Sequence, residues 1–321
     1  MTLHLPTIEE LDAAAQIVRA VVPPTPQYAW PLLGERTGAT LWIKHENHTP
    51  TGAFKIRGGL TYFSKLREID PTCVGVITAT RGNHGQSVGL AARRYGLPAT
   101  IIVPHGNSRE KNAAMRALGV TLIEHGADFQ EASERASMLA TERSLHAVPG
   151  FHRNLLLGVA TYSVEFLRAV PNLEIVYIPI GLGSGICGMI AARAALQHRV
   201  EIVGVVADEA PAYALSFAAK RPLEHPVSTV LADGLACRAT DADALELIIA
   251  HVSRVVRVTD AEIAGAMRVL YTDTHNLAEG AGAAGFAAIM KERDRLAGRM
   301  VGTVMTGGNV DLSLFASAVA A

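Results

Sequence analysis

Residues 175–192 read IVYIPIGLGSGICGMIAA, and this stretch decides the class of fold to which the chain belongs. It carries no charged side chain, and by length alone it is a candidate for a membrane-spanning helix. Pro179 and four glycines would break such a helix. A buried strand up to Ile180, a glycine-rich turn and the start of a helix account for the same residues in water. The stretch therefore predicts one β–α unit of an α/β protein.

The same pattern, a β-branched run followed by an Ala-rich helical segment, recurs along the chain. Such alternation is typical of doubly wound parallel sheets, so we expect an α/β protein with two of them. The predicted strands are Val74–Ala79, Ala99–Val103, Val120–Glu124, Ile175–Ile180, Ile202–Ala207, Val255–Val258 and Met300–Met305. We expect residues 74–146 to form the core of a small inserted domain (51–146), and residues 1–50 with 147–321 to form a large domain.

Length and composition restrict the classes of function. At roughly 150 residues per domain, 321 residues suit two domains, and 49% hydrophobic residues are enough for a sizeable core. A formal net charge of −1 gives no overall attraction to nucleic acid or to an anionic membrane. The three cysteines form no pattern typical of disulfides or zinc sites. The N-terminal segment lacks an apolar signal core, so we expect a cytoplasmic protein that binds neither nucleic acid nor membranes.

Gly183 to Gly188 read GSGICG and lie between a predicted strand and a predicted helix. They match the GxGxxG fingerprint of dinucleotide-binding proteins, and Asp208 follows at the fingerprint's spacing of about 20 residues. Glycines at a helix N-terminus let backbone N–H groups approach any phosphate, so the pattern is not specific for a dinucleotide. An NAD-linked oxidoreductase, a different phosphate-binding protein and a tight turn without a ligand all stay open from these residues.

Lys55 and the turn at residues 80–86 carry side chains suited to amino-acid chemistry. Lys55 lies in the apolar, glycine-rich segment TPTGAFKIRGG, and an amine nucleophile needs a pKa lowered by desolvation or by a cation such as Arg57. Taken alone, it equally fits a surface lysine at the start of a helix. The turn TRGNHGQ places hydroxyl, amide and imidazole groups beside backbone N–H groups, which suits a carboxylate. A plain helix cap by Thr80 or Asn83 is the alternative.

Four motifs together resemble the fold-type II pyridoxal-phosphate (PLP) enzymes of the serine/threonine dehydratase and serine racemase family. They are AFKIRG (53–58), TRGNHGQ (80–86), GLGSG (181–185) and TGGN (306–309), with LADGL (231–235) and EGAG (279–282) as further matches. The resemblance covers nearly the whole chain, which looks like a threonine or hydroxyaspartate dehydratase. It implies the architecture of the tryptophan synthase β-like enzymes, two doubly wound parallel-sheet domains with PLP bound by the large one.

The resemblance implies a role for each residue of these motifs. Lys55 would hold PLP as a Schiff base and then remove the α-proton of the substrate. Phe54 would pack against the pyridine ring, Asn83 would bond to the 3′-oxygen, and Thr306 would meet the ring nitrogen. PLP binding is thus expected at Phe54, Lys55, Asn83, Gly181, Leu182, Gly183, Ser184, Gly185, Glu279 and Thr306. Substrate binding is expected at Thr80, Arg81, Gly82, Asn83 and His84.

The reaction implied by the resemblance is β-elimination from a small 3-hydroxy amino acid such as threonine, serine or 3-hydroxyaspartate. The products would be a 2-oxo acid and ammonia. Racemisation and β-replacement with the same cofactor are the alternatives within the family. A hydroxyl at Thr306 forms no ion pair with the pyridine nitrogen, so the ring would be a weaker electron sink. A weaker electron sink favours β-elimination over reactions that need a long-lived quinonoid.

Arg81 departs from the family pattern, because serine racemases carry at this position the serine that acts as their second base. Arginine stays protonated near neutral pH and is a poor base, which argues against racemisation. We hypothesise that Arg81 binds a second polar group of the substrate, such as the β-carboxylate of 3-hydroxyaspartate, through paired hydrogen bonds. The alternative is that its side chain extends into solvent or into a salt bridge.

The sequence does not support a metal site. Many relatives bind a divalent cation through a glutamate that aligns with Val206 here, although Asp208 and Glu209 are near. His45 and His48 lack a further ligand at zinc spacing, so we expect a structural role for them. The family resemblance alone implies a homodimer.

Overall fold

The charge-free stretch folds as its pattern predicts in a computed structural model, which describes residues 4–320. Ile175–Pro179 is a strand whose residues are all buried, and after a turn a helix begins at Ser184. Gly183 ends the turn with φ of 100°, a backbone conformation that residues with a Cβ rarely adopt. Within residues 4–320, no helix is both long enough and apolar enough to cross a membrane.

Ten strands lie within the described residues and form two sheets. They are β1 (Gln27–Ala29), β2 (Thr40–His45), β3 (Val76–Ala79), β4 (Ala99–Val103), β5 (Thr121–Glu124), β6 (His146–Ala147), β7 (Ile175–Pro179), β8 (Glu201–Ala207), β9 (Arg254–Val258) and β10 (Met300–Met305). The larger sheet has the order β1-β2-β10-β7-β8-β9, and the smaller sheet has the order β5-β4-β3-β6. Neighbouring strands are parallel except for β1 with β2.

Thirteen α-helices accompany these strands in the described part of the chain. They are α1 (Ile8–Arg19), α2 (Pro31–Thr37), α3 (Lys55–Ile69), α4 (Asn83–Arg94), α5 (Arg109–Ala117), α6 (Phe129–Glu142), α7 (Arg153–Ala169), α8 (Ser184–Ala195), α9 (Ala212–Ala219), α10 (Ala242–His251), α11 (Asp260–Thr274), α12 (Gly280–Lys291) and α13 (Leu312–Ala320). Single 3₁₀ turns occur at Glu46–His48, Asp233–Leu235 and Arg293–Arg295. Thr7 and Thr259 cap α1 and α11 in capping boxes, each with the glutamate three residues further on.

The predicted α/β class with two parallel sheets is confirmed. Every predicted strand is present, with ends that differ by at most two residues. The predicted strand from Val74, for example, begins at Val76, because the Val74 side chain is exposed. The sequence pattern missed β1, β2 and β6. The first and last of these are short, and β2 carries the polar residues Lys44 and His45.

The smaller sheet lies in sequence between β2 and β7 of the larger sheet, so the chain passes between the two sheets twice. Helix α3 packs against α4, which follows a strand of the smaller sheet, and against α7, which precedes a strand of the larger sheet. It therefore joins the two parts of the molecule. The division into a large domain of residues 1–50 with 147–321 and a small domain of residues 51–146 stays a prediction.

The carboxyl ends of neighbouring strands bring the sequence motifs together. AFKIRG follows β2, GLGSG follows β7 and TGGN follows β10, and these three strands are adjacent in the larger sheet. TRGNHGQ follows β3 of the smaller sheet. Ligands of open parallel sheets bind at this edge, so the topology places the candidate site there.

Arg57 anchors the first turn of α3 in the protein interior. Its guanidinium group donates to Glu46 at 2.7 and 2.9 Å and to Glu165 at 2.9 and 3.0 Å. Lys44 Nζ lies 2.8 Å from Glu165 and completes a network of two cations and two carboxylates. The side chains of Lys44, Glu46 and Arg57 are fully buried, so each charge depends on its partners.

Replacing Arg57 by methionine is expected to destabilise the fold. Lys44 would remain as the one cation of the network beside two carboxylates, and breaking a buried ion pair from one side costs about 3–5 kcal/mol. Urea unfolding followed by circular dichroism at pH 7 measures the change. Lys65→Met is the matched control, because Lys65 is exposed and pairs with Glu68 on the surface; we expect a change within about 0.5 kcal/mol. Equal unfolding midpoints for the two variants would contradict this role of Arg57.

Candidate active site

Lys55 is the first residue of α3, and its amine points towards the glycine loop of the larger sheet. Its Nζ donates to Ser184 Oγ at 2.9 Å. Burial lowers the pKa of Lys55 to about 8. Arg57 does not contribute to this shift, because its guanidinium group faces Glu46 and Glu165. Of the two causes considered for a lowered pKa, desolvation is thus the one that acts.

The glycine loop of residues 181–185 leads from β7 into α8. A side chain at Gly181 would meet the carbonyl oxygen of Gly234 at 2.4 Å, and one at Gly183 would meet Ala244 Cβ at 2.6 Å. The carbonyl of Leu182 accepts a hydrogen bond from Tyr213 Oη at 2.9 Å, and this bond restrains the loop. The first amides of α8 have no acceptor within the helix and lie at its positive end, which suits an anion.

Phe54 lies beside both the lysine and the glycine loop. Lys55 Nζ is 5.1 Å from the centroid of the Phe54 ring, and a Cβ on Gly185 would be 3.7 Å from Phe54 Cζ. The ring packs edge-on against Tyr162 with centroids 5.8 Å apart. The predicted packing of Phe54 against the pyridine ring stays a prediction.

The turn after β3 has the structure of a helix cap. Thr80 Oγ1 accepts hydrogen bonds from the amides of Gly82 at 3.0 Å and Gly85 at 3.3 Å, so these amides are already paired. Asn83 and His84 begin α4, where backbone N–H groups lack an acceptor within the helix. The predicted carboxylate site thus has fewer free amides than the sequence suggested, and it stays a prediction.

His84 is partly buried; its Nε2 atom is buried and has no hydrogen-bond partner among residues 4–320. Burial, and to a smaller extent the nearby charge of Lys55, lowers the pKa of His84 to about 3. The imidazole is therefore neutral at pH 7. A ligand group bound beside Lys55 would therefore meet the unpaired Nε2 of His84.

Asn83 is held by two side chains from the other part of the molecule. Its Nδ2 donates to Glu279 Oε1 at 2.6 Å, and its Oδ1 accepts from Asn309 Nδ2 at 2.8 Å. Glu279 is buried at the start of α12 and donates its backbone N–H to Gly307 O at 3.1 Å. The predicted residues Asn83 and Glu279 thus contact each other directly.

Thr306 is buried after β10, next to the lysine motif. Its carbonyl accepts the backbone N–H of Phe54 at 3.0 Å, and Gly307 forms a β-bridge with Ala53. These bonds attach the TGGN segment to the AFK segment. Arg81, by contrast, is exposed and makes no ion pair among the described residues, so it lies at the rim of the site.

Several residues of the site were not predicted from the sequence. Ser87 Oγ donates to the carbonyl of Lys55 at 2.7 Å, and the Cys237 thiol lies close enough to Lys55 to influence its pKa. Lys111 pairs with Glu279 and with Asp233, a residue of the quoted LADGL motif. A residue on a different βα unit carries no local pattern that ties it to the site, so sequence reasoning had no signal for Lys111.

Other candidates lie away from this cluster. Asp208, the acidic residue of the dinucleotide fingerprint, pairs at 2.6 Å with Arg257 at the surface. His45 and His48 stack with ring centroids 5.2 Å apart, and His45 Nε2 accepts from Trp30 Nε1. Among residues 4–320, no group of three or more His, Cys, Asp or Glu side chains is arranged to hold a metal ion.

A family model described as "Pyridoxal-phosphate dependent enzyme" matches residues 18–307. The chain belongs to this family. The predicted family and its PLP cofactor are confirmed, and membership decides against an NAD-linked oxidoreductase as the interpretation of the glycine loop. The roles predicted for the individual site residues stay predictions.

Relatives with printed activities are similar over almost the whole chain. An L-threonine ammonia-lyase of Thermotoga maritima is 33% identical over 309 residues, which cover 96% of this chain and 77% of that protein. An L-threo-3-hydroxyaspartate ammonia-lyase of Saccharomyces cerevisiae is 28% identical over 316 residues, which cover 98% and 97%. Among solved structures, maize serine racemase has a TM-score of 0.91 at 26% identity, covering 99% of this chain and 98% of that one.

The residues at this edge of the sheet fit PLP. A buried amine of lowered pKa suits a bond to an aldehyde, and the start of α8 suits a phosphate. Ser184 connects the two, because it is the first residue of α8 and its hydroxyl accepts a hydrogen bond from Lys55 Nζ. Phe54 offers an aromatic face beside both.

Gly183→Ala is expected to weaken the binding of PLP. The new Cβ would lie 2.6 Å from Ala244 Cβ at a φ of 100°, and such backbone strain costs about 1–3 kcal/mol. Titration of the cofactor-free protein with PLP is expected to give a dissociation constant raised by about tenfold or more. Gly265→Ala in α11 is the control, because a Cβ there meets no atom within 4 Å. Equal affinities for the two variants would contradict a phosphate site in this loop.

Proposed function

We propose that the protein is a PLP-dependent ammonia-lyase that converts a small 3-hydroxy amino acid to a 2-oxo acid and ammonia. The observation that carries the proposal is the buried Lys55 amine, 2.9 Å from the first residue of the helix at the glycine loop. The printed activities of the relatives, ammonia-lyases for threonine and for threo-3-hydroxyaspartate, agree with this reaction class.

Lys55 performs the proton transfer in the proposed reaction. Since burial lowers the pKa of its amine to about 8, an appreciable fraction is uncharged near neutral pH and accepts a proton. Ser184 Oγ orients the amine towards the loop. Nζ takes the proton from the α-carbon of the substrate, and the hydroxyl group leaves from the β-carbon. When bound, PLP supplies the electron sink that makes the α-proton acidic.

The substrate's α-carboxylate binds at the start of α4 in this proposal. The backbone N–H groups of Asn83 and His84 lie at the positive end of the helix. The neutral His84 ring adds a hydrogen bond without adding charge. The loss of the α-proton and the β-hydroxyl removes one water; a water then replaces the nitrogen, and ammonia leaves with the 2-oxo acid.

Elimination is favoured over racemisation by two residues. Thr306, expected at the pyridine nitrogen, offers a hydroxyl rather than a carboxylate, so it does not hold a proton on the ring. Arg81 stands at the position of the second base in serine racemases, and an arginine side chain is a poor base. The similarity to maize serine racemase therefore describes the fold and the cofactor site more closely than the reaction.

We also propose that the protein is cytoplasmic and that it forms a homodimer. All three cysteines are free thiols in the described structure, which suits a reducing compartment. Tyr28 on the edge strand β1 is 50% exposed, and Leu32 on the following helix is 49% exposed. Apolar side chains beside an unpaired strand edge are suited to burial against a second copy of the chain.

Lys55→Ala is expected to abolish both the cofactor spectrum and the reaction. The bond between a lysine and PLP absorbs at roughly 410–420 nm, a property of the cofactor. Absorbance spectra, with 2-oxo acid and ammonia assayed in parallel, test this for threonine, serine and 3-hydroxyaspartate. Lys65→Ala, on the exposed face of α3, serves as control and keeps both signals. A native protein that cannot be loaded with PLP would overturn the proposed function.

Arg81 is proposed to select substrates that carry a second carboxylate, because it is exposed at the turn and free of ion pairs among residues 4–320. We expect Arg81→Ala to lower kcat/KM for 3-hydroxyaspartate by about ten- to a hundredfold, since hydrogen bonds to charged groups are worth roughly 1.5–3 kcal/mol. Threonine is expected to change by less than about threefold. Arg94→Ala, exposed at the other end of α4, is the control. If Arg81→Ala keeps the native preference for 3-hydroxyaspartate over threonine, this assignment is wrong.

A further inference from the structure

Lys111 lies on α5, which connects β4 and β5 of the smaller sheet. Its side chain forms a cluster with two carboxylates. Its Nζ lies 2.5 Å from Asp233 Oδ2 and 3.4 Å from Glu279 Oε2. The side chains of Lys111 and Glu279 are 6% and 2% exposed, whereas that of Asp233 is 28% exposed. Asp233 lies between β8 and β9 and Glu279 between β9 and β10 of the larger sheet, so the ammonium group bridges the two parts of the molecule.

The cluster is in direct contact with the turn proposed to bind the substrate carboxylate. Glu279 Oε1 accepts the Asn83 amide at 2.6 Å, so the carboxylate that pairs with Lys111 also holds Asn83. From the other side, the aliphatic part of Lys111 packs on the turn: a Cβ on Gly82 would lie 2.4 Å from Lys111 Cδ. Lys111 thus touches the turn through its stem and acts on it through Glu279.

The charges of the cluster do not cancel, because one ammonium group faces two carboxylates. Burial raises the pKa of Glu279 to about 7, and Asp233 acts in the same direction, while Lys111 and the Asn83 amide oppose the increase. Glu279 is therefore the member that gains a proton as the pH falls. Lys111 and Asp233 are the charged groups that face it, and Gly307 contributes only its backbone.

We propose that Lys111 is a positioning residue of the active site: its ammonium group stabilises the charged form of the Glu279 carboxylate and the hydrogen bond of that carboxylate with the Asn83 amide, which fixes the turn proposed to bind the substrate. The inference rests on the proposed function, since it takes the Thr80–His84 turn as the substrate site. It assigns Lys111 no contact with the reacting atoms. Its effect is therefore expected in substrate binding and in the pH dependence rather than in the chemical step.

Lys111→Met tests the charge while it keeps the packing. Methionine retains an apolar stem against Gly82 but removes the ammonium group. Helix α5 stays attached to the rest of the molecule, because Asp311 accepts the amides of Arg109 and Glu110 at 3.3 Å. We expect KM for the amino-acid substrate to rise by about tenfold and kcat to change by less than about threefold. Lys111→Arg is expected to restore KM, and Lys65→Met to leave it unchanged.

The pH profile separates this role from a merely structural one. In the native enzyme two groups are expected to shape the acid limb of kcat/KM: Lys55 must be uncharged to accept a proton, and Glu279 binds the Asn83 amide less strongly once it gains a proton. Without the Lys111 cation the pKa of Glu279 rises further, so the acid limb moves to higher pH by about one unit. Asp233→Asn removes the competing carboxylate and is expected to move the limb to lower pH. The double variant with Lys111→Met is expected to lie between the two single variants.

A binding measurement makes the test independent of turnover. L-alanine has the α-carboxylate but no β-hydroxyl group, and its binding to the PLP-loaded enzyme is followed by the change in cofactor absorbance. We expect the same weakening in Lys111→Met as for KM. A native KM, acid limb and L-alanine affinity in that variant would overturn the inference while leaving the lyase proposal intact. If Lys111→Met does not fold, Asp233→Asn provides the test, because its acid limb of kcat/KM is expected at lower pH than that of the native enzyme. An acid limb unmoved by Asp233→Asn would overturn the inference equally.

Discussion

The ion pairs of Arg57 with Glu46 and Glu165 determine where the helix that starts with Lys55 can lie. Together with Lys44 they form a network of four charged side chains, all of which are buried or nearly so. An unpaired charge in that setting is strongly unfavourable. The network joins the end of β2, the first turn of α3 and helix α7, so α3 has little freedom to shift. Because Lys55 lies two residues before Arg57, the distance of its amine from Ser184 depends on this anchor.

The electrostatics of the site are local, as the net charge of −1 indicates. Burial, rather than a neighbouring cation, lowers the pKa of Lys55, and burial also keeps His84 neutral. In the proposed function, anions bind to backbone N–H groups at the starts of α4 and α8. Lys111, Asp233 and Glu279 carry formal charges and link the two parts of the chain. If the proposed substrate site is correct, substrate binding and the arrangement of those parts depend on the same contacts.

Sequence reasoning succeeded where the information is local. Runs of β-branched residues, helix caps and glycine turns are properties of neighbouring residues, and they predicted the strands and the order of the motifs. It failed for β1 and β6, which have three and two residues, and for β2, where Lys44 breaks the apolar pattern. It also missed Lys111, because its partner Asp233 lies 122 positions further along the chain.

By itself the sequence determined the α/β class, through its periodicity, and a glycine-rich turn between a strand and a helix. The resemblance to the PLP enzymes rests on four motifs in the family's order. Only the tertiary structure decided which charges are present and which groups are already paired. It showed that Thr80 uses two amides of its own turn, that Asn83 is held by Glu279, and that Arg57 faces away from Lys55. Burial and contacts between distant segments set the protonation of a side chain, and neither is written in the neighbouring residues.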